Sequence, residues 1–172
     1  APQAGTVEAE PAQAEATQAE ATQAIGDDPA ARQRLIAEAV ALCHAACAAC
    51  AREDAPRAWA GAHLQLAVAL IAQASLMESV TARRPALDEA VAASRAALTV
   101  LTRGTYPANW GETQTCLGEA LAARTAISEE GERAAMIRAA AEAWQAALEV
   151  FTAQEAPYQH ERVLTVLSRL TA

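Results

Sequence analysis

Apolar positions recur along this chain at the three- and four-residue steps of a helix, not at the alternating step of a strand. Three stretches repeat one spacing. Ile36, Ala39, Ala46, Cys47 and Cys50 are matched by Leu87, Ala90, Ala97, Leu98 and Leu101, and again by Ile137, Ala140, Ala147, Leu148 and Phe151. Pro56, Pro107 and Pro157 follow these stretches, 51 and 50 residues apart. After the prolines, Trp59, Trp110 and His160 correspond, as do Leu66, Leu117 and Leu167. Each block is therefore read as an amphipathic helix. The pattern predicts six helices, over 29–52, 56–79, 84–103, 107–126, 130–153 and 157–171.

Local chemistry sets the expected boundaries. Asp28-Pro29 and Asp54-Ala55-Pro56 each place a capping acid beside a first-turn proline. Pro85 and Pro107 can open helices in the same way. Gly104 suits a left-handed helix C-terminus. Ser128 is expected to cap the helix that begins near Glu129 or Glu130. Few β-branched runs interrupt the apolar stretches, so the fold class is all-α.

Two features of this pattern resemble the tetratricopeptide (TPR) family of helix pairs. Leu117-Gly118 followed by Leu121 looks like the first-helix signature, with Leu66-Ala67 and Leu70, and Leu167-Ser168, as weaker copies. Ala90, Ser94 and Ala97 look like the second-helix signature, as do Ala39, Cys43 and Ala46, and Ala140, Trp144 and Ala147. The period departs from the family's usual value of roughly 34 residues. It is closer to that of long-period bacterial arrays. The resemblance covers about 29–171 and implies antiparallel pairs stacked as a short right-handed solenoid. It also implies a protein-interaction scaffold rather than an enzyme.

Charge divides the chain in two. Of a net −8, residues 1–28 hold six acids and no base. Residues 29–172 hold fifteen acids and thirteen arginines, and no lysine occurs. The helical domain is thus 29–172. The 1–28 segment is an acidic Ala/Gln/Glu stretch, either a linker or a helix that caps the array. A nearly neutral body offers no footprint for nucleic acid. No apolar run looks pure enough to span a bilayer, since Leu64–Ile71 is broken by Gln65. The chain reads as soluble, with the cytoplasm favoured and no signal that fixes the compartment. It opens on Ala1, as expected once a leader, tag or upstream domain is removed. The 56–79 helix is apolar nearly all round and needs cover on more than one side, from the N-terminal segment or a second copy.

Candidate chemistry is sparse. His44, His63 and His160 lie in three different segments, and no phosphate loop, HExxH or GxSxG occurs. No catalytic residue and no cofactor is expected. Cys43, Cys47 and Cys50 share one helix face beside His44, which would suit Cu(I), or Zn with a fourth ligand. The competing reading is core packing, because Cys47 and Cys50 stand where the later repeats place Leu or Phe.

By the TPR resemblance, the first helix of each pair lines a groove. Its lining residues would be Gly61, Leu64, Val68 and Ile71, then Glu112, Thr115 and Glu119, then Arg162, Thr165 and Arg169. Glu112/Arg162 and Glu119/Arg169 occupy equivalent places and could pair. The expected partner is another protein's helix or peptide at the apolar end, or a second copy of the chain.

Overall fold

The computed structural model describes residues 28–170, so the acidic segment lies outside the described residues except for Asp28. Six α-helices and no strand occupy them. These are α1 Pro29–Ala49, α2 Pro56–Leu76, α3 Val80–Leu98, α4 Pro107–Thr125, α5 Glu130–Leu148 and α6 Pro157–Leu170. Each helix packs on its neighbours in sequence, and α2 also touches α4.

Alanine sets how closely the helices approach. Ala60, Ala67, Ala90, Ala97, Ala120, Ala140 and Ala147 are completely buried. A methyl side chain lets neighbouring backbones come near while keeping the intrinsic preference for helix. Larger side chains fill the rest of the interior: Leu87, Leu101, Trp144, Phe151 and Val163 are all buried. Gly118 lies directly under the Trp144 indole, with no room there for a Cβ. Gly111 takes the ring of Phe151 in the same way, at 2.9 Å from where a Cβ would sit.

The three proline-led connections share one set of backbone hydrogen bonds. Leu101 N–H donates to Ala97 O at 2.9 Å, Phe151 to Ala147 at 2.9 Å and Cys50 to Ala46 at 3.1 Å. Tyr106 donates to Thr102 (2.9 Å), Ala156 to Thr152 (2.9 Å) and Ala55 to Ala51 (3.0 Å). Trp110, His160 and Trp59 close the first turn of the following helix. Each proline sits at the first position of its helix, where its missing N–H costs nothing.

Several expected boundaries need correction. α1 to α5 end one to five residues before the predicted ends. α3 begins at Val80, not near 84, and Pro85 is inside it. Arg83 holds this early start by donating from Nε to the Met77 carbonyl at 2.5 Å. Asp28 does cap α1, accepting from Ala30 N–H at 2.9 Å. Asp54 does not cap α2, whose capping position is Ala55 with no side-chain bond. Ser128 does not cap α5 either. Its hydroxyl is turned back to α4, donating to the Arg124 carbonyl at 2.7 Å. Gly104 lies in a turn without a left-handed φ.

By length and composition, α2 is apolar enough to cross a membrane, contrary to the reading of its sequence. Its apolar side chains are used in packing: Leu64, Leu66, Leu70 and Ala74 are buried, with α1, α3 and α4 as the neighbouring helices.

Candidate functional site

The predicted groove residues converge in part. A cleft of about 300 Å³ is lined by Leu64, Gln65 and Val68 of α2, and by Glu112, Cys116 and Glu119 of α4. Tyr158, Gln159 and Arg162 of α6 and Phe151 complete it. Helical spacing explains the gathering, since Leu64/Val68, Glu112/Cys116/Glu119 and Tyr158/Arg162 each follow three- or four-residue steps. Leu64 and Cys116 are buried and form the floor. Val68 is 49% exposed and Tyr158 73% exposed, and they form an apolar rim.

Other predicted positions are placed elsewhere. Thr115 is buried and its hydroxyl donates to the Gly111 carbonyl at 3.0 Å. Its own carbonyl accepts from the Trp144 indole N–H at 3.2 Å. Thr115 is therefore an interior residue, not a groove contact. Thr165 and Arg169 line a shallower hollow on α6 with Glu161 and Val166. Gly61 and Ile71 are half-buried on α2 and do not line the cleft.

The ion pair differs from both expected pairings. Arg162 Nη2 lies 3.7 Å from Glu119 Oε1. Glu112 is exposed and solvated, whereas Glu119 is partly withdrawn from water and gains more from a cation. Burial pushes the Glu119 carboxyl up, and the Arg162 guanidinium acts against that shift. The Cys116 thiol on the floor is pushed up to about 11, chiefly by burial, with a contact to the Ser94 hydroxyl opposing it. A thiol so placed is neutral and a poor nucleophile.

The cysteines of α1 do not assemble a donor set. Cys43, Cys47 and Cys50 are half-buried and free. Burial, then the neighbouring Cys43, Cys50 and Glu89, pushes the Cys47 thiol up. His44 Nε2 is 3.5 Å from Glu89 rather than beside the thiols. Among the described residues, no group of three or more His, Cys, Asp or Glu side chains is arranged to hold a metal ion. The other histidines are engaged structurally. His63 Nδ1 is 2.9 Å from the Trp59 carbonyl, and His160 Nδ1 is 2.7 Å from the Phe151 carbonyl.

A second cleft, of about 660 Å³, lies between α3, α4 and α5 and was missed in the sequence. Val91, Leu121 and Met136 line it beside Asp88 and Arg124. Arg124 is buried and donates from Nε to Asp88 at 2.6 Å and from Nη1 to Ser128 at 2.8 Å. One signal was available: Arg124 falls on the apolar stripe of Leu117 and Leu121, where a charge needs a partner.

No family model, curated protein or solved structure matches this chain. The functional reading therefore stands on geometry.

Proposed function

We propose that the chain is a short TPR-like array of helix pairs that binds a helix or peptide of another protein in the α2/α4/α6 cleft. The pairs are α2–α3 and α4–α5, flanked by the single helices α1 and α6. The recurring hydrogen bonds of the proline-led connections and the contact between α2 and α4 support a stacked arrangement of these pairs. One observation carries the binding role. Alternate helices α2, α4 and α6 contribute to one cleft, which has an apolar floor and leaves Val68 and Tyr158 exposed at its rim. Exposed aromatic and aliphatic side chains beside a concave apolar surface are what a docking helix uses.

The charges refine the partner. Glu119 and Arg162 face each other, while Glu112 is exposed. The cleft thus favours an apolar side chain flanked by a basic one. The test is selection of peptides from a displayed random library against the full chain. Selected peptides should be apolar with a basic residue, and Val68→Asp or Tyr158→Ala should weaken them at least about tenfold. Peptides whose affinity ignores both substitutions would overturn the reading. Leu64 is a poor probe, because it is buried and its replacement by Asp would disturb the fold.

A further inference from the structure

The cleft between α3, α4 and α5 carries opposite charges at its two ends. Arg124, in the last turn of α4, bonds to Asp88 of α3 and to Ser128 of the connection into α5. Glu132 lies in the first turn of α5, four residues beyond Ser128, so it belongs to that same end. Two acids against one base leave a net negative charge there. Arg95 stands seven residues along α3 from Asp88, about 10 Å further on. Both line the cleft, as does Glu132. Val91, Leu121 and Met136 line it one turn in from Asp88, Arg124 and Glu132, so the middle is apolar.

Helix packing leaves these groups with bonding capacity. Arg95 and Glu132 are exposed, and among the described residues neither side chain forms an ion pair. Arg124 uses Nε and Nη1, while its Nη2 has no partner among the described residues. No unpartnered side-chain nitrogen or oxygen is sealed from solvent among them, so Nη2 is within reach of a ligand. Nor does the repeat call for the charges. By register, Asp88, Arg124 and Glu132 correspond to Ala37, Gln73 and Ala82, so the equivalent interface of α1, α2 and α3 is built without them.

We propose that this cleft binds a short apolar peptide of about three residues with both ends free. Its ammonium group lies toward Asp88 and Glu132, and its carboxylate pairs with Arg95. An extended chain advances about 3.3 Å per residue, so three residues cover the distance between the charged ends. A peptide carbonyl accepts from Arg124 Nη2, and the apolar side chains meet Val91, Leu121 and Met136. Charge complementarity selects this occupant. An apolar acid without an amine leaves the acidic end unmatched, and an amine without a carboxylate leaves Arg95 unmatched. The volume of about 660 Å³ is of the size that takes small ligands. The proposal is independent of the α2/α4/α6 cleft and its ligand.

The test is an NMR titration of the full, isotope-labelled chain with the tripeptide Leu-Ala-Leu, beside its N-acetyl and C-amide forms. The free tripeptide should shift amides of α3 and the start of α5 with a Kd below about 1 mM. Blocking either end should weaken binding at least about fivefold. Arg95→Gln should weaken the free tripeptide by the same factor and leave the C-amide form unaffected. Glu132→Gln should do the same for the amine, leaving the N-acetyl form unaffected. Both side chains are exposed, so neither substitution disturbs the core. No saturable shift up to about 10 mM peptide, or affinity indifferent to both blocking groups and both substitutions, would overturn the proposal. Binding lost in Val68→Asp but kept in Arg95→Gln would overturn it as well, by placing the tripeptide in the other cleft. Because that cleft is read with Val68→Asp and this one with Arg95→Gln, failure of either proposal leaves the other distinguishable.

Discussion

Trp144 is 3% exposed, and its indole lies so close to Gly118 that only a residue without a side chain fits beside it. Gly118→Ala should therefore destabilise by about 1–3 kcal/mol through overpacking, read as a fall of several degrees in Tm. Cys116 makes a pH prediction. Its folded thiol is raised from the usual 9.0 to about 11. Between those values the unfolded chain has lost the proton and the folded chain keeps it, so stability falls as pH rises. The loss is about 2–3 kcal/mol across pH 9 to 11, full stability lies below 9, and Cys116→Ala should flatten that slope in urea titrations. Burial raises the Glu119 carboxyl, and Arg162 opposes that rise. Arg162→Ala should raise the carboxyl titration further, followed by NMR of the Glu119 side chain. Among these residues, the repeat register marked the position of Gly118 and the buried Ala90, Ala97, Ala140 and Ala147, though not the Trp144 ring above Gly118, because it follows helical period and not the partner across the interface. It misplaced Thr115, because the same register position is interior in α4 and exposed in α6.

Six helices were legible in the chain, and their order and approximate places hold. Their ends were less legible, since a capping residue competes with contacts that arrive from distant sequence. α3 shows this most clearly. Proline at 85 signals a start, yet Arg83 bonded to Met77 O and Arg84 bonded to Ile127 O at 3.2 Å secure a turn before it. Pro85 consequently sits inside a helix without an N–H to donate. Pro85→Ala is expected to raise stability by about 1 kcal/mol or more, measured by urea denaturation. Arg124 works between elements, joining α4 to Asp88 of α3 and to Ser128. Arg124→Ala should cost about 2–3 kcal/mol, less than a fully buried pair because the Asp88 side chain is 54% exposed.

At the scale of the whole molecule, packing runs mainly between neighbours in sequence. Cohesion in such a chain is highest where a helix has neighbours on both sides and lowest at the terminal described helices. Exchange protection should accordingly be greatest in α3 and α4 and least in α6, where only Val163 is buried. An α6 as slow as α4 would contradict this picture. The all-helical architecture was readable because periodicity is a local property of the sequence. The second cleft, with its Arg124–Asp88 pair, was not, since it depends on three helices meeting.

The 99–106 connection has a practical consequence. Leu101 and Tyr106 anchor it to the core at either end, Thr102 and Thr105 tie it together at 3.1 Å, and Gly104 at its tip has open space around it. Foreign sequence spliced in after Gly104 would be displayed outward between two fixed posts. The molecule could then serve as a carrier for grafted epitopes or reporter tags, with its melting curve nearly unmoved.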